Sequence, residues 1–199
     1  MITTLIFATN NDNKVKEIRS VLQDKFHVIS LKEAGIFVDI PEPYDTLEEN
    51  ASEKSRVIYL STGKDCFSED SGLEVNILDG APGVRSARYA GDENSSKNNI
   101  EKLLHEMDGQ VDRRARFRTV ISLRLSGEEK QFEGICTGTI TMVQQGIAGF
   151  GYDPLFIPDG ADKTFAEMDL AEKNVFSHRK KATEKFFDYI KNLHGQDKG

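Results

Sequence analysis

Four polar segments of this 199-residue chain combine residue types that could bind a ligand or take part in chemistry. The first, residues 9–14, reads Thr-Asn-Asn-Asp-Asn-Lys and follows a dense apolar run, so we expect it at the start of a helix. Unpaired N–H groups at a helix start favour an anion, and Lys14 adds a positive charge beside them. This segment therefore has the outline of a phosphate site, and an ordinary capped loop is the alternative.

The second segment, residues 68–73, carries the adjacent carboxylates Glu69 and Asp70. We expect them to follow a short strand, Asp65 to Ser68, at a strand end where α/β proteins often bind ligands. Mg²⁺ prefers one or two carboxylates and shares its other positions with waters and phosphate oxygens. A metal site is one interpretation of this pair, and a solvated turn is the other.

The third segment, residues 80–91, holds two arginines among glycines and small residues, which suits a tight loop against a ligand or a purely structural loop. The fourth is split. Residues 149–154 place aromatic side chains between glycines, as a pocket for a flat ring would. Residues 172–181 bring Lys173, His178 and Arg179 together, which favours an anion clamp, with a solvated helix start as the alternative.

Hydrophobic periodicity indicates the elements that must position these segments. The apolar run of residues 2–8 predicts a buried strand, and Val15, Ile18 and Leu22 follow it at helical spacing. A second apolar run, residues 26–31, predicts the next strand. Strand, polar loop, helix and strand in this order indicate an α/β fold.

Later in the chain, start and stop signals predict further elements. Thr46 and Glu49 fit a capping box that begins a long helix, and Gly63 suits its end. Another helix is expected from Ser95 or Ser96 to Gly109. Alternation over residues 116–125, a turn at 126–129 and a returning run over 130–142 predict an antiparallel hairpin. A last amphipathic helix carries Ala182, Phe186, Ile190 and Leu193, and residues 194–199 are expected to form a frayed tail.

Composition narrows the class of protein. The chain is 38% hydrophobic and 30% charged, which argues against a membrane protein and against disorder. Its net charge of −7 makes nucleic acid an unexpected partner. Cys66 and Cys136 lack a CxxC arrangement, so we expect two buried free thiols. No signal peptide or membrane segment is recognisable, and a cytoplasmic location is the expectation.

Taken together, the polar segments resemble the inosine triphosphate pyrophosphatase family, whose members are also called dITP/XTP pyrophosphatases. The resemblance extends from about Leu5 to Ala182 and keeps the motifs in the family's order. Its strongest pieces are residues 8–14, 70–73, 81–91, 149–154 and 177–179.

The resemblance implies an elongated mixed sheet with flanking helices, in which two lobes of one domain, residues 1–199, surround a central substrate cleft. It also implies Mg²⁺-dependent cleavage of ITP, dITP and XTP between the α and β phosphates, which gives the monophosphate and pyrophosphate. Such nucleotides arise by deamination of purine nucleotides, so the enzyme would remove them from the nucleotide pool. Family members are usually homodimers.

Site roles are carried over from the family motif by motif. The resemblance implies that Asp70 is the catalytic carboxylate and a metal ligand and that Glu42 is a second metal ligand. It also implies that Lys14 is a catalytic residue that contacts the triphosphate directly. The remaining substrate-binding residues by resemblance are Thr9, Asn10, Asn11, Asp12, Asn13, Ser71, Phe150, Gly151, Tyr152, Asp153, Lys173, His178 and Arg179. Phe150 would stack on the base.

Two departures from the family pattern bear on these roles. Many relatives carry two aspartates where this chain has Glu69 and Asp70, and a small residue where it has Asn13. Two rival functions share the same parts. One is a nucleotide phosphohydrolase that releases orthophosphate, and the other is a module that binds altered purine nucleotides without turnover. The identity of the product separates the three.

Overall fold

A computed structural model describes residues 4–22, 26–38, 40–91, 93 and 95–196, and within them a mixed sheet is accompanied by α-helices. The predicted α/β class, with a mixed sheet and flanking helices, is therefore confirmed. The helices are α1 (Asp12–Leu22), α2 (Leu47–Thr62), α3 (Ser96–Glu106), α4 (Leu170–Phe176) and α5 (His178–Gln196).

Seven strands form the sheet in the described part of the chain. They are β1 (Thr4–Phe7), β2 (His27–Ser30), β3 (Cys66–Val75), β4 (Pro82–Gly83), β5 (Arg114–Leu125), β6 (Glu128–Ile140) and β7 (Phe156–Pro158). The strand order is β2-β1-β3-β5-β6-β7, and β4 pairs with β3 off this path. Strand β1 runs parallel to β2 and to β3, whereas the β3–β4 and β6–β7 pairs are antiparallel.

The chain divides into two compact units. Unit 1 takes its described residues from 1–70, 119–134 and 179–199, and unit 2 from 71–118 and 135–178. Strands β3, β5 and β6 each supply residues to both units. The expected arrangement of two lobes around a cleft stays a prediction.

Unit 1 buries an aromatic cluster. The ring of Phe67 on β3 stacks on Phe7 of β1 at a centroid distance of 4.5 Å and lies 5.0 Å from Phe186 of α5. The helical spacing of Val15, Ile18 and Leu22 brings all three into the same core from α1. The first strand, the first helix and the last helix of the chain are thereby packed together.

Unit 2 has a separate core. Side chains of β3, α3, β5, β6 and β7 pack there with the 3₁₀ turns at residues 153–155 and 165–167. Gly72 is needed at one close approach, because a Cβ on it would lie 2.4 Å from the carbonyl oxygen of Gly83 on β4. This contact sets β4 directly against the second half of β3.

Most predicted boundaries are confirmed within about two residues. Thr46 Oγ1 accepts from the backbone N–H of Glu49 at 3.2 Å, and Gly63 ends α2 in the left-handed conformation with φ of 64°. Ser95 caps α3, which ends at Glu106, before Gly109. The predicted hairpin is present, but its turn is shorter than expected and consists of Ser126 and Gly127 alone. A two-residue connection between sheet neighbours requires antiparallel strands.

The third strand differs most from its prediction. It was expected to end at Ser68, with Glu69 and Asp70 after it either as a metal site or in a solvated turn, but β3 extends over ten residues, from Cys66 to Val75. Both carboxylates are buried within the strand. The strand continues past Glu69 and Asp70 because buried cations neutralise both carboxylates. The two charges therefore do not need contact with water.

Two further expectations concern the ends and the surface of the chain. Helix α5 continues to Gln196, and residues 197–199 of the predicted frayed tail, 194–199, lie outside the described residues. No helix in the described part of the chain is long and apolar enough to cross a membrane.

Replacement of Phe186 by Ala tests the core of unit 1. The side chain is fully buried against Phe67 and Phe132, so Phe186→Ala should lower the free energy of unfolding by about 3–5 kcal/mol, measured by urea denaturation. The control is Leu193→Ala on the same helix. Leu193 is 38% exposed, and its truncation should cost about 0.5 kcal/mol or less. Equal losses in the two variants would contradict this packing.

The two free cysteines should be inert in the native protein. Both are buried, and burial raises the pKa of the Cys66 thiol to about 12. At pH 8 such a thiol is ionised in about one molecule in ten thousand, and the thiolate is the reactive form. Labelling by a thiol reagent should therefore be slow until guanidinium unfolds the chain. Rapid stoichiometric labelling of the native protein would show that the thiols are accessible.

Candidate functional site

Glu69, in the middle of β3, is the centre of a buried ion network in unit 1. Its Oε2 accepts from Arg179 Nε at 2.7 Å, and its Oε1 accepts from Arg179 Nη2 at 3.0 Å. Lys14 Nζ lies 3.0 Å from the same Oε1. Burial alone would raise the pKa of Glu69, but the charges of Arg179 and Lys14 outweigh it and hold that pKa well below its usual range. Glu69 is therefore ionised and already neutralised within the protein.

Arg179 connects Glu69 to a second buried carboxylate. Its Nη1 donates to Glu17 Oε2, and Glu17 lies on α1, one turn after Lys14. Burial would lower the pKa of Arg179, but the charges of Glu69 and Glu17 raise it further above its usual range. The guanidinium is only 3% exposed. Its predicted role in substrate binding stays untested, but its three nitrogens all donate to carboxylates of unit 1.

Asp70 belongs to a different group of charges in the same unit. Its Oδ1 accepts from Lys54 Nζ at 2.7 Å, and the same ammonium donates to Glu42 Oε1 at 2.8 Å. Burial raises the pKa of Asp70 above its ordinary value, against the opposing charges of Lys54 and Lys14. Burial would lower the pKa of Lys54, but the charges of Asp70 and Glu42 outweigh this and raise it. The structure thus brings the two predicted metal ligands onto one ammonium group.

The loop before α1 is held by its own side chains. Asn11 Oδ1 accepts from the backbone N–H groups of Asn13 and Lys14 at 3.0 and 3.2 Å, so Asn11 caps the helix. Thr9 Oγ1 accepts from the backbone N–H of Asn11 at 3.1 Å. These three N–H groups are engaged within the loop in this conformation. The side chains of residues 10–13 are exposed, and Lys14 is half-buried.

Unit 2 also contains a buried ion pair, which lies at the glycine-rich segment of residues 149–154. Asp153 Oδ2 accepts from Lys173 Nζ at 2.6 Å and from the backbone N–H of Phe150 at 2.9 Å. The ammonium of Lys173 lies 5.2 Å from the centroids of both Phe150 and Phe165. A Cβ on Gly149 would lie 2.1 Å from Asp153 Oδ2, so only glycine leaves room for this carboxylate. The half-buried ring of Phe150 is thereby fixed beside a cation.

The other predicted base-binding residues differ in their surroundings. Tyr152 is buried in the core of unit 2, and its hydroxyl donates to the carbonyl oxygen of Ser86 at 3.0 Å. His178 is buried with its ring stacked on Phe117 at 4.8 Å. Gly151 adopts a left-handed φ of 60°, and Ser71 is half-buried on β3. The charged segment of residues 172–181 is thus not a solvated helix start at Lys173, His178 or Arg179.

Lys54 and Glu17 belong to these buried ion groups, and the sequence analysis missed both. Lys54 carried a usable signal, because it lies at helical spacing on the same stripe as Leu47, Ala51 and Ile58, and these residues form the buried face of α2. A lysine on an apolar stripe predicts a buried cation that needs a carboxylate. Glu17 gave no comparable signal, because its partner Arg179 is 162 positions away in the sequence.

The donor set at Asp70 and Glu42 fits a magnesium ion held together with a substrate. No group of three or more His, Cys, Asp or Glu side chains that could hold a metal occurs among the described residues. The available ligands are therefore the two carboxylates of Asp70 and Glu42. Mg²⁺ is commonly bound by one or two carboxylates together with substrate phosphates and waters. The ammonium of Lys54 already occupies the space between these oxygens as a cation.

Comparison with known proteins agrees with the motifs. A sequence model of the Ham1 family matches residues 5–189. A dITP/XTP pyrophosphatase of Christiangramia forsetii is 48% identical over 186 residues, which cover 94% of this chain and 98% of that protein. The Ham1 protein structure of Staphylococcus aureus matches with a TM-score of 0.86 and 38% identity, over 96% of this chain and 100% of that one. The HAM1 structure of Coxiella burnetii has a TM-score of 0.87 and 34% identity with the same coverage.

Removal of the Lys54 ammonium tests the charge group around Asp70. Lys54→Met leaves two carboxylates, Asp70 and Glu42, without their common cation, and should lower the free energy of unfolding by about 3–5 kcal/mol in urea. Combining it with Asp70→Asn should recover part of the loss, because the uncompensated charge is what destabilises the fold.

The matched control for this test is Lys97→Met. It removes an ammonium from the exposed pair with Glu101, at 3.9 Å, and should change the free energy of unfolding by about 0–1 kcal/mol. The assignment of Lys54 would be wrong if both lysine variants were equally stable.

Proposed function

The chain belongs to the Ham1 family, and on that premise we propose that it is a Mg²⁺-dependent enzyme that hydrolyses dITP, ITP and XTP to the monophosphate and pyrophosphate. It is a nucleoside triphosphate pyrophosphatase acting on non-standard purine nucleotides, as its close relatives are named. The resemblance drawn from the motifs is thereby confirmed. Removal of deaminated purine nucleotides from the pool is the task that follows from this substrate class.

The observation that carries the proposal in this structure is the buried Asp70 with its neutralising lysine. A carboxylate that is held in place and raised in pKa by burial is suited to orient a water molecule and to accept its proton. Lys54 donates to Asp70 Oδ1 and so fixes the direction of the carboxylate. Hydrolysis of a phosphoanhydride needs mainly positioning and charge stabilisation, and the held carboxylate of Asp70 supports the first of these.

We assign the triphosphate end of the substrate to groups of unit 1. Lys14 and the loop of residues 9–13 supply the ammonium and polar side chains that would contact the phosphates. Mg²⁺, when bound, would supply positive charge that offsets the developing charge on the phosphate oxygens. Asp70 and Glu42 are the residues that would hold it. Asp70 would then serve as a metal ligand while it orients the attacking water.

We assign the purine end to groups of unit 2. The ring of Phe150 is the candidate for stacking on the base, since Asp153 holds its backbone in place and Gly149 makes room for that carboxylate. Lys173, His178 and Ser71 are the candidates for polar contacts. A buried protein donor can bond to the 6-keto oxygen of hypoxanthine or xanthine. Opposite the 6-amino group of adenine the same donor would meet another donor and stay unpaired, which disfavours adenine nucleotides.

Two further properties are part of the proposal. The buried free thiols agree with a reducing compartment such as the cytoplasm. A homodimer is the state we propose from the family pattern.

The reaction is tested by its products. Purified protein with ITP, dITP or XTP should release pyrophosphate when Mg²⁺ is present and should lose turnover when a chelator removes the metal. ATP should be turned over far more slowly. Ion chromatography separates pyrophosphate from orthophosphate. Orthophosphate as the first product would point to the rival phosphohydrolase, and nucleotide binding without turnover would point to a binding module.

Replacement of Asp70 by Asn tests the catalytic assignment. Asp70→Asn keeps the shape of the side chain but removes its proton-accepting charge, so kcat for ITP should fall by about 10²–10⁴-fold. The surface substitution Asp108→Asn is the control and should leave kcat unchanged, because Asp108 is exposed and outside the site. A fully active and correctly folded Asp70→Asn protein would remove this carboxylate from the mechanism.

A further inference from the structure

We propose that Asn50 is a positioning residue for the metal site, because it clamps the backbone of Tyr44 and thereby fixes Glu42, one of the two proposed metal ligands. This inference rests on the proposed function and adds to it a device that orders a carboxylate without using charge. All of its members belong to unit 1.

The first step of the argument is the bonding of the Asn50 side chain, which is fully buried on α2. Its Nδ2 donates to the carbonyl oxygen of Tyr44 at 2.9 Å, and its Oδ1 accepts from the backbone N–H of Tyr44 at 3.1 Å. A carboxamide carries a donor and an acceptor side by side, so it can bond to both backbone groups of one residue. The backbone of Tyr44 is therefore held against α2 at both of its polar groups.

The second step is the stiff connection from Tyr44 to Glu42. Residues 40–44 belong to no helix or strand, so their course depends on individual contacts. Pro43 is the one residue between Glu42 and Tyr44, and Pro41 precedes Glu42. A proline ring fixes its own φ and restricts the backbone of the residue before it. A clamp on Tyr44 therefore also limits where the backbone of Glu42 can lie.

A second anchor holds the segment on the other side of Glu42. The side chain of Ile40 is partly buried and packs against a core cluster to which Ile58 of α2 belongs. Glu42 thus lies between an apolar contact two residues before it and the Asn50 clamp two residues after it. Helix α2 contributes a residue to both anchors, and neither anchor uses a charge.

The third step is the difference between the clamp and the ion pair of Glu42. Lys54 lies one helical turn after Asn50, and its ammonium donates to Glu42 Oε1 at 2.8 Å. The Glu42 side chain is 31% exposed and that of Lys54 is 7% exposed, so the carboxylate is the more accessible partner. The ammonium and a divalent cation on Glu42 would repel each other, which weakens the ion pair in a loaded site. The neutral amide of Asn50 is free of this conflict and holds the segment in both states.

The clamp itself is tested without metal or substrate. In Asn50→Ala the backbone N–H of Tyr44 loses its acceptor, so its amide hydrogen should exchange with solvent about 2- to 10-fold faster, measured by NMR. Pro43→Gly loosens the connection to Glu42 but leaves the clamp in place, so the Tyr44 amide should keep its protection. Unchanged exchange in Asn50→Ala would show that the clamp does not hold in solution.

The consequence for the metal site is tested with Mn²⁺ alone, a paramagnetic substitute for Mg²⁺ whose binding EPR spectroscopy measures. In Asn50→Ala the dissociation constant of Mn²⁺ should rise by about 10- to 100-fold, as is usual when a group that orients a metal ligand is lost. In Pro43→Gly it should rise by about 2- to 5-fold, because the freed backbone must be ordered again on binding. The Mg²⁺ concentration for half-maximal turnover of ITP should rise in the same order.

The matched control is Asn99→Ala on α3, in unit 2. Like Asn50, Asn99 is buried in the first part of its helix and clamps a backbone segment. Its Nδ2 donates to the carbonyl oxygen of Ala87 at 2.8 Å, and its Oδ1 accepts from the N–H of Ala90 at 2.7 Å. Asn99→Ala should lower the urea midpoint of unfolding about as much as Asn50→Ala does, but it should leave the dissociation constant of Mn²⁺ unchanged.

Three results would overturn the inference: folded Asn50→Ala protein that binds Mn²⁺ as tightly as the wild type, equal weakening in Asn99→Ala, or a wild-type protein that binds no Mn²⁺. If Asn50→Ala does not fold, Pro43→Gly carries the test, since Pro43 is exposed. A wild-type protein that does not turn over ITP would refute the proposed function instead, and the Mn²⁺ constants of the same variants would still decide the role of Asn50.

Discussion

A buried carboxylate requires a cation close to it, and this requirement organises unit 1. Adjacent residues of a strand point to opposite faces of the sheet, and Glu69 and Asp70 accordingly form ion pairs with different cations. Glu69 is neutralised by Lys14 and Arg179, and Asp70 by Lys54. Helices α1, α2 and α5 each contribute one of these cations. Their contacts with β3 therefore follow from charge as well as from apolar packing.

The same requirement recurs in unit 2 on a smaller scale. Asp153 is buried, and Lys173 and the backbone N–H of Phe150 supply its partners. Gly149 leaves the space that the carboxylate occupies. A single carboxylate thus holds the ammonium of Lys173 and the backbone of Phe150 close to one another.

In the proposed function, these networks serve two different tasks, which are selection of the base and cleavage of the phosphoanhydride. The groups proposed for the phosphates belong to unit 1, and the groups proposed for the base belong to unit 2. The pKa values of Glu69 and Asp70 shift in opposite directions. The charges of Arg179 and Lys14 outweigh burial at Glu69 and lower its pKa, whereas burial dominates at Asp70 and raises its pKa. Glu69 is kept ionised, and the higher pKa of Asp70 is consistent with the proton-accepting role proposed for it.

The amino-acid sequence by itself determined the α/β class, the cap at Thr46, the choice of Ser95 or Ser96 as the cap of α3, the hairpin and the membership of the family. These features depend on residues close together in the chain, whose periodicity and order can be read directly. The extent of β3 could not be read in this way, because two adjacent carboxylates resemble a turn until their cations are known. Arg179 lies 110 positions from Glu69 and 162 from Glu17. Only the tertiary structure decided that these charges meet, because an ion pair depends on distance in space and leaves no local pattern in the sequence.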